Sequence, residues 1–468
     1  MSSVAQALSL PSDRTTLGLV LAALLTVALG VYGFEGSAPF TVHPVFWFRL
    51  MYAWIFLWLA HTASLMNYYD PIVAYFWYFV GFTLLGTDPG IQSSIGVPMT
   101  ISARTCLALA LNIAGMVAGA HLIDAWRRRG AIWTPRTPPR FTVRLGHPAI
   151  MGAGLIVWGA GVCLTLFLIV AVWGFIPLLA DNAENVRVEV QAGLGFIVTP
   201  ATKGLHVGAL VVFTAIAVAR RGMRLGVLLL LVTVPLLLTF GFRSIALELL
   251  LEAYVIHAVV RRGRIRFWRS AALATVLFVI LGVTGFLRSD IPVEFLTPQF
   301  ALSIAVWRAG LIDVRILQQI MEHYPSHGDF LLGWTFVADF LALFPGPDSN
   351  SGLMLKKALG LEFAGAGITP SFPGEFYLNF GWPGVVLGSV GFGALLRRLA
   401  YWICDRREID VLQLVRCTIV VFMIAGMSTG LIGAIFFVHM LPVLLLLLLT
   451  GWLAETLPLA AAAPASPG

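Results

Sequence analysis

Apolar runs of about 16 to 30 residues recur along the chain, from LGLVLAALLTVALGVYG near one end to LPVLLLLLLTGWL near the other, and short connections between them carry most of the arginine. In hydrocarbon every backbone N–H and C=O must find a partner within the protein, so segments of this length and composition cross as helices. We read spans at about 16–33, 44–65, 71–86, 104–124, 148–178, 204–219, 225–240, 244–260, 270–287, 376–396, 411–430 and 433–453. The expected fold class is all-α, a polytopic integral membrane protein of about 12 transmembrane helices. Hydrophobic residues make up 59% of the chain and charged residues 11%, against about 25% charged in a soluble domain. A water-soluble enzyme is excluded.

Of the 30 Lys and Arg residues, all but Lys203, Lys356 and Lys357 are arginine. Counted over alternate connections, 20 fall in one set, while the other holds only Arg104, Arg187, Lys203 and Arg243. Long loops translocate regardless of charge and are left out of such a count, and the arginine-rich set is expected on the cytoplasmic side together with both termini. Only Arg14 precedes the first run and no small-residue cleavage site follows Gly33, so that run is expected to remain as the first helix. These arginines punctuate spans and form no basic face, so nucleic acid is not an expected partner. Cys106, Cys163, Cys404 and Cys417 form no CxxC pair and imply neither a disulfide framework nor a metal site.

The spans divide the chain into N-terminal helices 1 to 9 over about 1–287, a long outer loop over about 288–375, C-terminal helices 10 to 12 over about 376–457, and a low-complexity tail at about 458–468 expected to be disordered. Within the loop, FALSIAVWRAGLIDVRILQQIMEHY spaces its apolar residues as an amphipathic helix would. LLGWTFVADFLALFPG is too short and too interrupted by Asp339 to cross, so it reads as re-entrant or interfacial. The Gly and Pro residues of ITPSFPGEFYLNFGWPG then break the chain before it re-enters the bilayer.

A membrane-embedded protein with one large outer loop suits a substrate that is part lipid and part polar headgroup. Arg49 sits inside the second span, Arg243 in TFGFRS at a tight outer connection, and Arg187 in the outer loop DNAENVRVEV. A guanidinium fork holds two phosphate oxygens at once while staying charged. Arg49 and Arg243 would also serve as helix-orienting anchors. Glu248 and Glu252 share one helix face with His257 beyond them, a pattern that fits a proton relay or a packing pair. His43, His206, His323 and His327 fall on the outer side and His439 in the last span, none at metal-ligand spacing. Pro325, in YPSHG, argues against a shared helix face for His323 and His327. Glu375 follows Pro373 and Gly374 at the outer start of the tenth span. It could accept a proton from a sugar hydroxyl or simply complement its own helix dipole.

LTFGFRSIALELLL and IPLLADNAENVR, followed by AVWRAGLIDVRILQQIMEHYP, GDFLLGWTFVADFLALFPGP, LKKALG and TPSFPGEFYLNFGWPGVVLGSVGFGALLRRL, resemble in order and spacing the bacterial oligosaccharide repeat-unit polymerases of the O-antigen (Wzy) type. The chain departs from that family at FGFRS and at FPGP. The resemblance implies an inner-membrane glycosyltransferase of the polytopic GT-C type. It would extend undecaprenyl-pyrophosphate-linked repeat units of an O-antigen, capsule or exopolysaccharide at the periplasmic face, with no cofactor or metal and with a chain-length regulator as an expected partner. It implies Arg187, Arg243 and Arg308 as pyrophosphate or sugar contacts and Glu375 as base, with Arg243 placed beside Glu375 in catalysis; Arg49 and Arg288 are further candidates for the pyrophosphate or sugar. Two alternatives stay open: a ligase that hands the glycan to lipid A core, and a non-enzymatic flippase or transporter using Glu248, Glu252 and His257.

Overall fold

The computed structural model describes residues 70–87, 101–127, 142–180, 183–241, 243–261, 267–287, 297–306, 312–341, 351–361, 367–404 and 408–457, with residues 50, 51, 294 and 406 beside them. The spans expected at about 16–33 and 44–65, and the C-terminal tail, lie outside the described residues.

The helices in chain order are α1 (Pro71–Thr87), α2 (Ala103–Arg127), α3 (Ile150–Trp173), α4 (Ala183–Ala219), α5 (Met223–Thr239), α6 (Arg243–Val260) and α7 (Phe267–Leu287). The loop contributes α8 (Pro298–Val306), α9 (Ile312–His323), α10 (Trp334–Leu341) and α11 (Ser351–Ala358). The chain returns with α12 (Phe372–Cys404), α13 (Val411–Gly426) and α14 (Ile432–Thr456). Among the described residues, six stretches are long and apolar enough to cross a membrane: α2, α3, Ile197–Ala219 of α4, Phe372–Ile403 of α12, Val411–Thr429 and α14; Met223–Thr239 and Ala272–Phe286 are shorter apolar helices. The chain is thus a helical, multi-pass protein.

Small residues bring the long helices together. In lipid there is no hydrophobic drive between helices, so close backbone approach carries the packing. A Cβ on Gly119 of α2 would lie 1.9 Å from the Val390 carbonyl oxygen of α12, and one on Gly393 would lie 2.1 Å from that of Met116. The same device joins α3 to α4, where a Cβ on Gly208 would meet the Trp158 backbone nitrogen at 2.4 Å. One buried core gathers α1, α2, α9 and α12, and a second gathers α3 to α6 with α13 and α14. Leu155, Ile156, Leu228, Leu231, Leu445, Leu448 and Trp452 stay exposed, as expected of lipid-facing side chains.

Several expectations shift. From Ala183 onward the segment DNAENVRVEV is not a loop, because α4 runs unbroken from Ala183 through Pro200 to Ala219, so Arg187 is helical. His206, placed on the outer side from sequence, lies wholly buried within that helix, which begins 23 residues before it at Ala183. The amphipathic loop segment forms two helices, α8 and α9, with residues 307–311 between them outside the described residues. The all-helical reading also missed Thr142–Arg144, which pairs in parallel with Glu408–Asp410. That pairing joins two connections of the arginine-rich set.

Candidate active site

Glu375 stands on the first turns of α12, ahead of a break at Gly381 (φ 65, ψ −153), a conformation reserved for glycine. It is fully buried. Its Oε1 accepts from the Thr335 hydroxyl of α10 at 3.2 Å, and its Oε2 accepts from the backbone N–H of Ile432 at 2.9 Å. One turn on, Asn379 donates to the Thr335 hydroxyl and to the Glu375 carbonyl, each at 2.8 Å, and accepts from the Gly333 amide at 2.9 Å. Asp339 of α10 completes the arrangement, accepting from the amides of Ser351 and Ala434 at 3.0 Å each. Burial raises the Asp339 carboxyl above its ordinary range, opposed by those amide bonds.

The two carboxylates therefore cap α14, whose first amides have no partner within their own helix. Gly430 (φ 89) and Leu431 (φ 54) turn the chain sharply before it. Glu375, for which the sequence leaves open a proton acceptor or a complement to its own helix dipole, complements another helix, 57 residues along the chain. No arginine bonds the Glu375 carboxylate among the described residues.

On α9, Asp313 is buried and accepts a hydrogen bond from the Thr369 hydroxyl. Burial lifts its carboxyl from 3.8 to about 7, with the Thr369 bond pulling the other way. The folded chain then keeps a proton that the unfolded chain releases near pH 4. Stability should fall as pH rises from about 4 to about 7, with a slope of at most about 1.4 kcal/mol per pH unit, and level off above. Thermal unfolding at pH 4.5 and 7.5 checks this: Asp313→Asn should flatten the difference, and an unchanged slope in that variant would assign it to other groups. At the other end of α9, the rings of His323 and His327 lie 5.4 Å apart even though the helix ends at His323, because the following turn folds His327 back with its N–H on the His323 carbonyl at 2.8 Å. Among the described residues, no three His, Cys, Asp or Glu side chains are grouped to hold a metal ion.

Arg243 is the first residue of α6 and is half-buried. A Cβ on Gly285 of α7 would lie 3.0 Å from its Nη1, so the guanidinium packs across the end of that helix. A cation at a helix N-terminus opposes the dipole, yet the free amides beside it and the guanidinium would both favour an anion. The side chain of Arg187 and all of Arg49, Arg288 and Arg308 lie outside the described residues.

A third polar group sits inside the bundle. His206 Nε2 of α4 and Glu252 Oε2 of α6 are 2.5 Å apart with both side chains fully buried, and Lys203 lies in the field of Glu248 and Glu252. From sequence Glu252 was grouped with Glu248 and His257 on one helix. The signal for its partner was the Lys203 and His206 pair three apart on a neighbouring run, legible only once the two helices are known to be neighbours.

A family model described as "Putative O-antigen polymerase" matches residues 49–440. No curated protein and no solved structure matches the chain.

Proposed function

The chain belongs to the O-antigen polymerase family, and from that membership we propose that it is a membrane glycosyltransferase that polymerises undecaprenyl-pyrophosphate-linked oligosaccharide repeat units at the periplasmic face of the bacterial inner membrane. The family places it in polysaccharide biosynthesis, working on a lipid-linked oligosaccharide within a membrane. The fuller architecture proposed is about twelve spans of the GT-C type with both termini cytoplasmic. The observation that carries the reading is the family match, which runs through the loop helices and into α14.

In the proposed reaction an acceptor sugar hydroxyl attacks the anomeric carbon of the donor glycan. The bond from that carbon to the pyrophosphate oxygen breaks, and undecaprenyl pyrophosphate leaves with the electron pair. Pyrophosphate is a stable leaving group, so the donor side needs charge stabilisation more than an acid. Arg243, at the amide-rich start of α6, with Arg187, Arg308, Arg49 and Arg288, would supply it. The hydroxyl is a weak nucleophile and gains from a base. Glu375 is proposed to take its proton, in a site that opens to substrate from the buried arrangement around Thr335 and Ile432.

The test is polymerisation by the purified chain in liposomes supplied with an undecaprenyl-pyrophosphate-linked repeat unit. A ladder of multi-repeat lipid-linked products is expected. Their absence, with glycan passed to an added lipid A core, would make the protein a ligase. In the same assay Arg243→Lys keeps the charge but loses the fork, and the rate should drop by about 10- to 100-fold, the worth of a charge-assisted bond. Wild-type polymer length in that variant would make Arg243 a helix anchor only.

A further inference from the structure

At the end of the bundle opposite Glu375, α2 and α12 finish side by side around a cavity of about 530 Å³. Arg127, Arg398 and Arg406 line it together with Trp126, Tyr401 and Trp402, and no carboxylate is among its lining residues. The Arg127 guanidinium lies 4.0 Å over the Tyr401 ring, and that of Arg406 lies 4.3 Å over the Trp402 ring. Stacking of this kind holds a guanidinium flat against its ring, and the Arg406 Nε also donates to the Trp402 carbonyl oxygen at 3.4 Å.

The platform is fixed from behind. The Tyr401 hydroxyl donates to Asp124 Oδ1 at 2.6 Å, and Arg397 grips the same carboxylate through Nε at 2.8 Å and Nη2 at 2.6 Å. Asp124 is engaged by Arg397 and Tyr401, and Glu408 by Arg144 at 2.7 Å.

Both helices are long and apolar enough to cross a membrane, which places their shared end at the depth where acyl chains meet water. Trp126 is 70% and Trp402 44% exposed, the setting in which tryptophan anchors a protein at a bilayer interface. Leu122 and Leu395, on the turns leading away from the cavity into the apolar layer, are 59% and 52% exposed. A ligand that fits has an anionic head for the guanidinium groups and hydrocarbon for those leucines. A volume of this size suits one headgroup.

We propose that the cavity between the ends of α2 and α12 binds the phosphodiester headgroup of an anionic glycerophospholipid in the leaflet at the arginine-rich end. This site is separate from the one proposed for glycan transfer, and its test does not depend on that reaction.

The experiment uses the full-length purified chain in nanodiscs of phosphatidylcholine with added phosphatidylglycerol or cardiolipin. Bound lipid is counted by native mass spectrometry, and quenching of tryptophan by brominated lipid reports contact. The wild-type chain should retain the anionic lipid over phosphatidylcholine, less so at high salt. Each guanidinium near the surface contributes roughly a 5-fold change in binding, so R398Q with R406Q should weaken retention about 25-fold. The charge control R144Q, on the same face but paired with Glu408, should leave retention unchanged. If the double variant does not accumulate, R398Q alone, at an exposed position, should give about 5-fold. Equal retention of anionic and zwitterionic lipid by the wild type, or full retention by the arginine variants, would overturn the proposal. Preferential retention of added polyprenyl phosphate over phosphatidylglycerol would also overturn it, in favour of the carrier lipid.

Discussion

Replacing Glu375 with Gln should slow extension of a lipid-linked glycan by about 10²- to 10⁴-fold, the usual contribution of a general base, with the fold retained. The structure makes this substitution an informative one. Glutamine can turn its carbonyl oxygen to the Ile432 N–H and its amide to the Thr335 hydroxyl, which the carboxylate now engages at 2.9 and 3.2 Å. Thr335 has a lone pair for that amide even while accepting from Asn379. The cap on α14 is therefore kept and the basicity is lost. If Glu375 only anchors α14 to α10, Glu375→Gln should polymerise at close to the wild-type rate, while Glu375→Ala should destabilise the protein by about 1 to 3 kcal/mol through the Ile432 amide and Thr335 hydroxyl it leaves without an acceptor. Donor binding, polymerisation and thermal stability on the same preparations separate the two roles. A Gln variant that extends glycan normally would move the search for the base to His323 and His327 and to Asp290, a loop acid outside the described residues.

The second large effect concerns the bond between His206 and Glu252, which joins α4 to α6 in the middle of the bundle. Both side chains are fully buried, so removing either one leaves the other without its hydrogen-bond partner and out of reach of bulk water. Breaking such a pair costs about 3 to 5 kcal/mol, whereas replacing both partners with apolar side chains of similar volume is close to neutral. His206→Leu should lower stability in detergent micelles by that amount. Adding Glu252→Met should recover most of the loss. Additive losses in the double variant would mean that the two side chains are not coupled, and would remove the pair as the reason α4 and α6 hold their register.

Much of the scaffold was legible because it follows from solvent. A run such as LPVLLLLLLTGWL must form hydrogen bonds within itself in hydrocarbon, whatever its neighbours are, and α14 forms where its apolar run lies. The loop helix α10 runs from Trp334 to Leu341 and carries Asp339 within it. Where local pattern competed with context, context won. Arg187 looked like a loop residue beside Asp181, Asn182 and Asn185, yet helical continuity from the span below carries α4 out past it. His206 looked peripheral because its span was started too late.

The candidate site divides along the same line. The sequence by itself determined that the chain is helical and membrane-embedded, where its charge is concentrated, and that Glu375 follows a Pro-Gly break at the start of a span, because hydrophobicity, charge count and breakers are properties of single segments. The tertiary structure alone decided what those residues touch. Glu375 and Asp339 cap a helix whose amides lie 57 and 95 positions away, His206 meets Glu252 across 46, and Arg397 grips Asp124 across 273. In each case a buried polar group needs a partner, and which partner it finds is set by helix neighbours and by glycines that let backbones approach to contact. Neither leaves a periodic mark on the sequence around the polar residue itself.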